Sequence, residues 1–180
     1  YYYDRYEFIS LDSLHLQNFW VGEQASTHGL MTGKYEAVLN VPGKGRTSIF
    51  VYDEKGRIIR SQQLDNLVDP FWTVLETGYD FSGQVLSEEH RYNGRLSLRY
   101  DYERDRMGRV TAVSLRYAGR SDAQPVQIPF SELSYDNYGR PTAKKILHDS
   151  LILNYSYDPD GGLFSIENPG RFSEQICRSS

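Results

Sequence analysis

The segment YDEKGRIIRSQ, residues 52–62, joins a Tyr-Asp pair to a Gly-Arg pair and then to an apolar pair. Asp at the first position of a β-turn accepts hydrogen bonds from the backbone that follows it, and Gly at the fourth position tolerates a left-handed conformation. The stretch from Asp53 to Gly56 therefore predicts a type I turn closed by a glycine bulge.

This pattern recurs along the chain as YDEKGR, YDFSGQ, RDRMGR, YDNYGR and YDPDGG. A shorter variant, YNGR, lies at 92–95, and the opening YYYD has the Tyr-Asp pair without the glycine. Recurrence of one turn motif between similar segments indicates that each copy is one supersecondary unit. The signature residues are Tyr52, Asp53, Gly56, Arg57, Tyr79, Asp80, Gly83, Asp105, Gly108, Arg109, Tyr135, Asp136, Gly139, Arg140, Tyr157, Asp158 and Gly161.

The segments between the turns alternate as β-strands do. In LILNYSYD, 151–158, the leucines and tyrosines share one face, and Ile152 shares the other with the polar residues. TSIFVYD, RLSLRYDY and TAVSLRY alternate similarly. The segment 10–20 predicts a loop or one short helical turn, and 121–129, with two prolines, predicts a loop. We therefore predict an all-β protein of tandem antiparallel hairpins that form a twisted or coiled open sheet.

A length of 180 residues fits one domain. We predict a single repeat domain over 1–180, with a lead-in over 1–46, tandem hairpins over 47–165 and a tail over 166–180. The abrupt opening YYYD, with neither an initiator Met nor a signal-like segment, predicts a piece of a longer protein.

Composition argues against several classes of function. The net charge of −4 gives no global field that favours nucleic acid, and no apolar run is long enough to span a membrane. Cys177 is the one cysteine, which excludes a disulfide framework and a cysteine-based zinc site. The histidines have no metal-ligand spacing, and a calcium loop at 158–161 would lack its later ligands. We expect no cofactor, no metal and no catalytic residue.

Arginine is concentrated in residues 91–120, which hold eight arginines and three acidic residues. Such a cluster could bind an anionic ligand. The interpretation that we favour is that the arginines pair with turn aspartates and stack on tyrosines of neighbouring hairpins, as guanidinium groups do.

The repeated unit, Tyr-Asp, two or three variable residues, Gly-Arg and an apolar residue, resembles the YD repeats of RHS (rearrangement hot spot) proteins. The resemblance covers 52–162 and implies a hairpin repeat that coils into a spiral ribbon, part of a shell around a C-terminal toxin or of a cell-surface protein. It also implies export or surface association. Some family members cut themselves at paired Asp-Pro-x-Gly motifs, but only DPDG, 158–161, is present here, so that activity is not carried over.

Two functions remain open at this point. The first is a non-catalytic structural or encapsulating module, whose partners are the rest of its parent polypeptide or the enclosed cargo. The alternative is a surface module that binds a carbohydrate or a partner through exposed tyrosines and Trp20 or Trp72. In either case, unpaired sheet edges predict self-association.

Overall fold

A computed structural model of the chain describes residues 1–10, 27–66, 69–94, 96–119 and 124–176. These residues contain no α-helix and a single 3-10 turn, Glu7–Ser10. The strands are β1 Tyr2–Tyr3, β2 Met31–Ala37, β3 Gly45–Tyr52, β4 Ile58–Asp65, β5 Phe71–Tyr79, β6 Val85–Tyr92, β7 Leu96–Arg104, β8 Val110–Ala118, β9 Val126–Tyr135, β10 Pro141–Ile146, β11 Leu151–Tyr157, β12 Leu163–Asn168 and β13 Phe172–Gln175.

The 13 strands follow one another in the order of the sequence, from the end strand β1 to the end strand β13 of an open sheet. Where their pairing registers are known, neighbouring strands are antiparallel. The predicted all-β fold of antiparallel hairpins in an open sheet is therefore confirmed.

The chain divides into two compact units. The first comprises residues 1–99 and 117–125, and the second comprises residues 100–116 and 126–180. The interpretation of 1–180 as one repeat domain stays a prediction.

The first unit has an apolar core on one face of its strands. Phe8 is buried together with Ile49 and Leu64, and Tyr6 and Trp72 pack against them. The ring of Phe8 lies where a side chain on Gly33 would stand, since a Cβ added at Gly33 would approach Phe8 Cζ to 2.5 Å. The glycine therefore provides the space for the ring.

A hydrogen bond anchors the segment that carries Phe8. The Tyr6 hydroxyl donates to the carbonyl oxygen of Phe50 at 2.5 Å, and burial raises the pKa of Tyr6 to about 12. The Thr32 hydroxyl donates to the carbonyl oxygen of Arg5 at 2.6 Å. These two bonds thus tie Arg5 and Tyr6 to β2 and β3.

The second unit has a different interior. Among its described residues, none of the apolar side chains is fully buried, and the buried side chains are the polar Ser131, Ser165 and Asn168. Its strands are held by their hydrogen-bonded ladders and by contacts along each face, of which the edge-on packing of Tyr100 and Phe130, 5.8 Å between ring centroids, is one.

The repeated turns adopt the predicted geometry. In the first copy, the Gly56 N–H donates to the Asp53 carbonyl oxygen at 3.0 Å, and the Asp53 N–H donates to the Arg57 carbonyl oxygen at 2.9 Å. The strand register shifts by one residue at Tyr52, which is the predicted bulge. The five turn glycines all have positive φ, between 74° and 95°, so the prediction of left-handed glycines is confirmed.

A further copy of this turn is interrupted by an insertion. Tyr3 pairs with Met31 as Tyr52 pairs with Ile58, and the Asp4 N–H donates to the Leu30 carbonyl oxygen at 3.1 Å. Gly29, with φ 78°, donates its N–H to Oδ1 of Asp4. The opening Tyr-Asp therefore has its glycine 25 positions later in the chain, and residues 5–28 form the insertion.

Two local predictions are wrong. Residues 126–129 belong to β9 although Pro125 and Pro129 predicted a loop there. The pairing of β9 with β10 ends at Ser131, so Pro129 lies beyond that ladder and its missing N–H removes no bond from it. The YNGR segment joins β6 to β7 at the strand ends opposite the repeated turn at 80–83, as the antiparallel order of the strands requires, so it is not a copy of that turn.

Candidate functional site

The aspartate of each turn organises the backbone around it. Asp53 Oδ1 accepts hydrogen bonds from the N–H groups of Lys55 and Arg57, both at 2.9 Å. Asp53 Oδ2 accepts the Nε–H of Arg57 at 2.7 Å and pairs with its Nη2 at 2.6 Å. Both carboxylate oxygens are therefore engaged within the same turn, and the arginine side chain is held in one direction.

The side chain of Arg57 extends toward the next hairpin. The guanidinium of Arg57 lies over the ring of Tyr79, and its Nη1 donates to the Asp80 carbonyl oxygen at 3.2 Å. In return, the Tyr79 hydroxyl donates to the Ile58 carbonyl oxygen at 2.9 Å. We call this reciprocal set of contacts between an Arg and the Tyr of the following copy the Arg-Tyr clasp.

The clasp occurs again within the second unit. Arg109 lies 4.7 Å from the centroid of the Tyr135 ring, and the Tyr135 hydroxyl donates to the Val110 carbonyl oxygen at 2.7 Å. Arg140 lies 4.5 Å from the centroid of the Tyr157 ring, and the Tyr157 hydroxyl donates to the carbonyl oxygen of Pro141 at 2.7 Å. Of the arginines of 91–120, Arg109 thus stacks on a tyrosine of the next copy, as the favoured interpretation predicts, and Arg57 and Arg140, outside that segment, make the same contact.

The arginine also lies beside the glycine of the following turn. Nη1 of Arg57 lies 3.6 Å from the position of a Cβ added at Gly83, and Nη1 of Arg109 lies 3.4 Å from the same position at Gly139. These distances correspond to ordinary van der Waals contact. The positive φ of the turn, rather than lack of space, therefore accounts for the glycine.

Copies that depart from the motif lack part of the clasp. Gln84 stands where the arginine of the second copy would be, and Arg104 stands where the tyrosine of the third would be. Gly162 replaces the arginine of the fifth copy. In the interrupted copy, Leu30 takes the arginine position, yet the Tyr52 hydroxyl still donates to the Met31 carbonyl oxygen at 2.6 Å. Sequence inspection missed this contact because Leu30 does not match the motif.

The turns lower the pKa of their aspartates. The side chain of Arg109 has the largest effect on Asp105, and the N–H groups of Arg109 and Met107 add to it, so the pKa of Asp105 lies below its ordinary value. For Asp53 and Asp136, desolvation raises the pKa, but the hydrogen bonds of the turn outweigh it and the net shift is again downward. These carboxylates are stabilised as anions.

A second cluster of charges lies on β5 and β6 of the first unit. Arg91 pairs with Glu76 at 2.7 Å and with Glu89 at 2.8 Å, and the Ser97 hydroxyl donates to Glu89 at 2.8 Å. The interactions with Arg91 and Ser97 lower the pKa of Glu89 in spite of its desolvation. Arg91 thus pairs with glutamates of the strands and not with the turn aspartates that the favoured interpretation predicts for the 91–120 segment. Arg109 of that segment does pair with a turn aspartate, Asp105, at 2.6 Å.

The first unit also has an open pocket of about 370 Å³ on the face of β2–β6 that lies opposite Phe8. Residues that alternate with the core positions line it, among them Ser48, Gln63 and Tyr92. The turn signature contributes no residue to this pocket, and sequence inspection did not identify it.

Of the two tryptophans that the sequence suggests as ligand contacts, one lies among the described residues. Trp20 lies outside the described residues. Trp72 packs against the core cluster of Phe8, Ile49 and Leu64, and its backbone N–H donates to Oδ1 of Asn93 at 2.7 Å. A role for either tryptophan in ligand binding stays a prediction.

Among the described residues, no cluster of three or more His, Cys, Asp or Glu side chains is arranged to hold a metal ion. In the same part of the chain, no helix has the length and apolar character needed to cross a membrane. The sequence matches no protein-family model, and no curated protein matches it. The RHS resemblance therefore remains a hypothesis that rests on the repeated motifs.

Proposed function

We propose that the chain is a non-catalytic structural module, a section of the repeat wall of an exported or cell-surface RHS-type protein. The observation that carries this proposal is the Arg-Tyr clasp. It uses the most distinctive side chains of the motif to join one hairpin to the next, at Arg57–Tyr79, Arg109–Tyr135 and Arg140–Tyr157.

The hydrogen bonds and the pKa values of the motif carboxylates support a structural role over a catalytic one. Asp53, Asp105 and Asp136 each direct one oxygen at backbone N–H groups and the other at their own arginine. Their lowered pKa values stabilise the anion that these bonds require. A general acid or base needs a pKa near the working pH and a free path to substrate. Groups held in this way serve as turn anchors.

In this proposal the repeat wall encloses or presents another part of the same polypeptide. Protease resistance of the native polypeptide tests the structural role, with Arg57→Gln and Arg140→Gln as test variants. Loss of the clasp should increase cleavage at the repeated turns. Arg46→Gln is the matched control, because Arg46 forms an exposed pair with Asp65 and no clasp. Unchanged resistance in both test variants would contradict the structural role.

Location is tested separately. We expect the native polypeptide in the culture medium or at the cell surface, where an antibody against the exposed turn of Phe81 or Tyr138 can reach it. Retention of the whole polypeptide in the cytoplasm would contradict the export part of the proposal and leave the clasp argument intact.

A further inference from the structure

The YNGR segment, which is not a copy of the repeated turn, places an amide side chain directly before a glycine in the connection between β6 and β7. Asn93 and Gly94 both have positive φ, 47° and 63°. Positive φ at two successive positions is characteristic of a type I′ hairpin turn, and Asn-Gly is the pair that adopts this turn with the least strain. The conformation of the turn therefore accounts for the presence of the pair.

Two hydrogen bonds to the backbone of Trp72, on the neighbouring strand β5, hold Asn93. The Asn93 N–H donates to the Trp72 carbonyl oxygen at 2.9 Å, and the Trp72 backbone N–H donates to Oδ1 of Asn93 at 2.7 Å. The second bond polarises the side-chain carbonyl group, which makes the carbon Cγ more electrophilic. The same N–H is in place to stabilise the negative charge that develops on Oδ1 when a nucleophile attacks Cγ.

The backbone nitrogen of Gly94 is the nucleophile that follows Asn93 in the chain. Gly94 is exposed to solvent, so hydroxide can remove the N–H proton and water can reach the reaction product. Glycine has no Cβ, so its own residue adds no steric barrier to the approach of this nitrogen to Cγ of Asn93.

We propose that Asn93 is a site of spontaneous deamidation, activated by the turn in the folded protein. The nitrogen of Gly94 loses its proton and bonds to Cγ of Asn93, the bond from Cγ to Nδ2 breaks, and ammonia leaves, which closes a cyclic imide. Water then adds to one of the two carbonyl carbons of the imide and breaks its bond to the Gly94 nitrogen, which regains a proton. Addition at Cγ gives isoaspartate's alternative, aspartate, and addition at the main-chain carbon gives isoaspartate. Water is the co-reactant of the whole sequence, and the proposal is independent of the structural role proposed above.

The two products differ in the contacts that they preserve. Aspartate keeps the path of the main chain, and its carboxylate can accept the Trp72 N–H as Oδ1 of Asn93 does. Isoaspartate adds a carbon atom to the main chain of the turn, so the pair of bonds to Trp72 loses its register. Because Trp72 packs against the core of Phe8, Ile49 and Leu64, we expect the isoaspartyl form to have a lower melting temperature than the aspartyl form.

Two other asparagines provide internal controls in the same chain. Asn40 also has positive φ, 64°, and is exposed, but the next residue is Val41, whose branched side chain hinders attack by its backbone nitrogen. Asn168 precedes Pro169, which has no N–H to lose. Deamidation by this route should therefore be fast at Asn93, slow at Asn40 and absent at Asn168.

Peptide mapping by mass spectrometry tests the proposal on the full chain, incubated in the folded state at mildly alkaline pH in heavy-oxygen water. We expect the peptide that contains Asn93 to become carboxylated and labelled at least about tenfold faster than the peptide that contains Asn40, with aspartate and isoaspartate separated by chromatography. Asn93→Gln is the control variant, because its longer side chain retains an amide but closes a less favourable ring, and it should be modified far more slowly.

The same incubation of the chain unfolded in urea measures the contribution of the turn. The rate at Asn93 should be at least as high in the folded chain as in the unfolded chain, since the bond from the Trp72 N–H exists only in the fold. A lower rate in the folded chain would overturn the proposal, because the turn would then protect the amide. Equal rates at Asn93 and Asn40 in the folded chain would overturn it as well.

Discussion

The guanidinium carbon of Arg57 lies 4.5 Å from the centroid of the Tyr79 ring, while the Tyr79 hydroxyl donates to the backbone beside Arg57, at the carbonyl oxygen of Ile58. Each of the two side chains thus contacts the hairpin that carries the other side chain. Because the carboxylate of Asp53 fixes Arg57 from behind, little side-chain entropy is lost when the contact with Tyr79 forms.

A double-mutant cycle measures this contact. We expect Arg57→Gln and Tyr79→Leu each to lower the free energy of unfolding, with a coupling energy of about 0.5–1 kcal/mol between them, the range for partly exposed cation–π pairs. Urea denaturation of the two single variants and the double variant gives the value. Arg46→Gln should cost less than about 0.5 kcal/mol, because its ion pair is exposed. Strict additivity of the two clasp substitutions would contradict the coupling.

The close approach of Phe8 to Gly33 predicts a steric effect. We expect Gly33→Ala to destabilise the protein by about 1–3 kcal/mol, because the added methyl group would meet the Phe8 ring at 2.5 Å and the Ser48 carbonyl oxygen at 3.0 Å. Thermal unfolding of the variant gives the measurement. Gly119→Ala is the control, since a Cβ there meets no atom within 4 Å. Equal melting temperatures for the two variants would show that the segment carrying Phe8 yields easily.

The repeated turns and the interrupted copy differ in how far the sequence could predict them. The repeated turns and their left-handed glycines follow from local chemistry, because Asp53, Gly56 and Arg57 act within a few residues of one another. The interrupted copy could not be found in this way. Its Asp4 and Gly29 are 25 positions apart in the sequence and become neighbours only in the folded protein.

The open pocket on the face of β2–β6 was also beyond prediction from the sequence. Its lining depends on strand register, and each bulge at a repeated turn changes the register by one residue, which exchanges the side chains on the two faces. Gln63 and Tyr92 have no motif in common, and they align across the strands only because the two intervening pairings, β4 with β5 and β5 with β6, have their observed register.

The motif aspartates predict loss of stability in acid. A carboxylate whose pKa is lower in the folded protein stabilises the fold above the pKa of an unfolded Asp, about 3.9, and loses that contribution as the pH falls toward the lower folded value. The urea midpoint should therefore decrease as the pH falls from about 5 to about 2. Asp105→Asn should be less stable at neutral pH and should show a shallower decline, whereas equal slopes would exclude Asp105 as a contributor.

The turn glycines predict a graded response to substitution. Gly56 has φ 74°, a region that β-branched residues resist and that Asn tolerates. We expect Gly56→Val to cost about 1–2 kcal/mol in unfolding free energy and Gly56→Asn to cost clearly less. Chemical denaturation measures both. A larger loss for the Asn variant would mean that the space around the turn, rather than its backbone conformation, sets the cost.

The last strand predicts self-association through an open edge. All four residues of β13 are exposed, and β13 pairs with β12 on one side and ends the strand order on the other. The Ile176 N–H donates to the Phe164 carbonyl oxygen. Backbone N–H groups that point inward and outward alternate along an antiparallel strand. The N–H groups of Phe172 and Glu174 therefore also point toward β12, and the N–H group of Ser173 points outward.

Proline at Ser173 should therefore remove an outward donor without removing a backbone bond to β12. It also removes the exposed hydrogen bond that the Ser173 hydroxyl donates to Glu167 of β12 at 3.3 Å. We expect light scattering to show concentration-dependent association of the unmodified chain that Ser173→Pro reduces, while its melting temperature changes little. Glu174→Pro is the control, since it would remove an inward bond and lower the melting temperature. A strict monomer at high concentration, or association unaffected by Ser173→Pro, would show that the edge of β13 does not recruit a second copy.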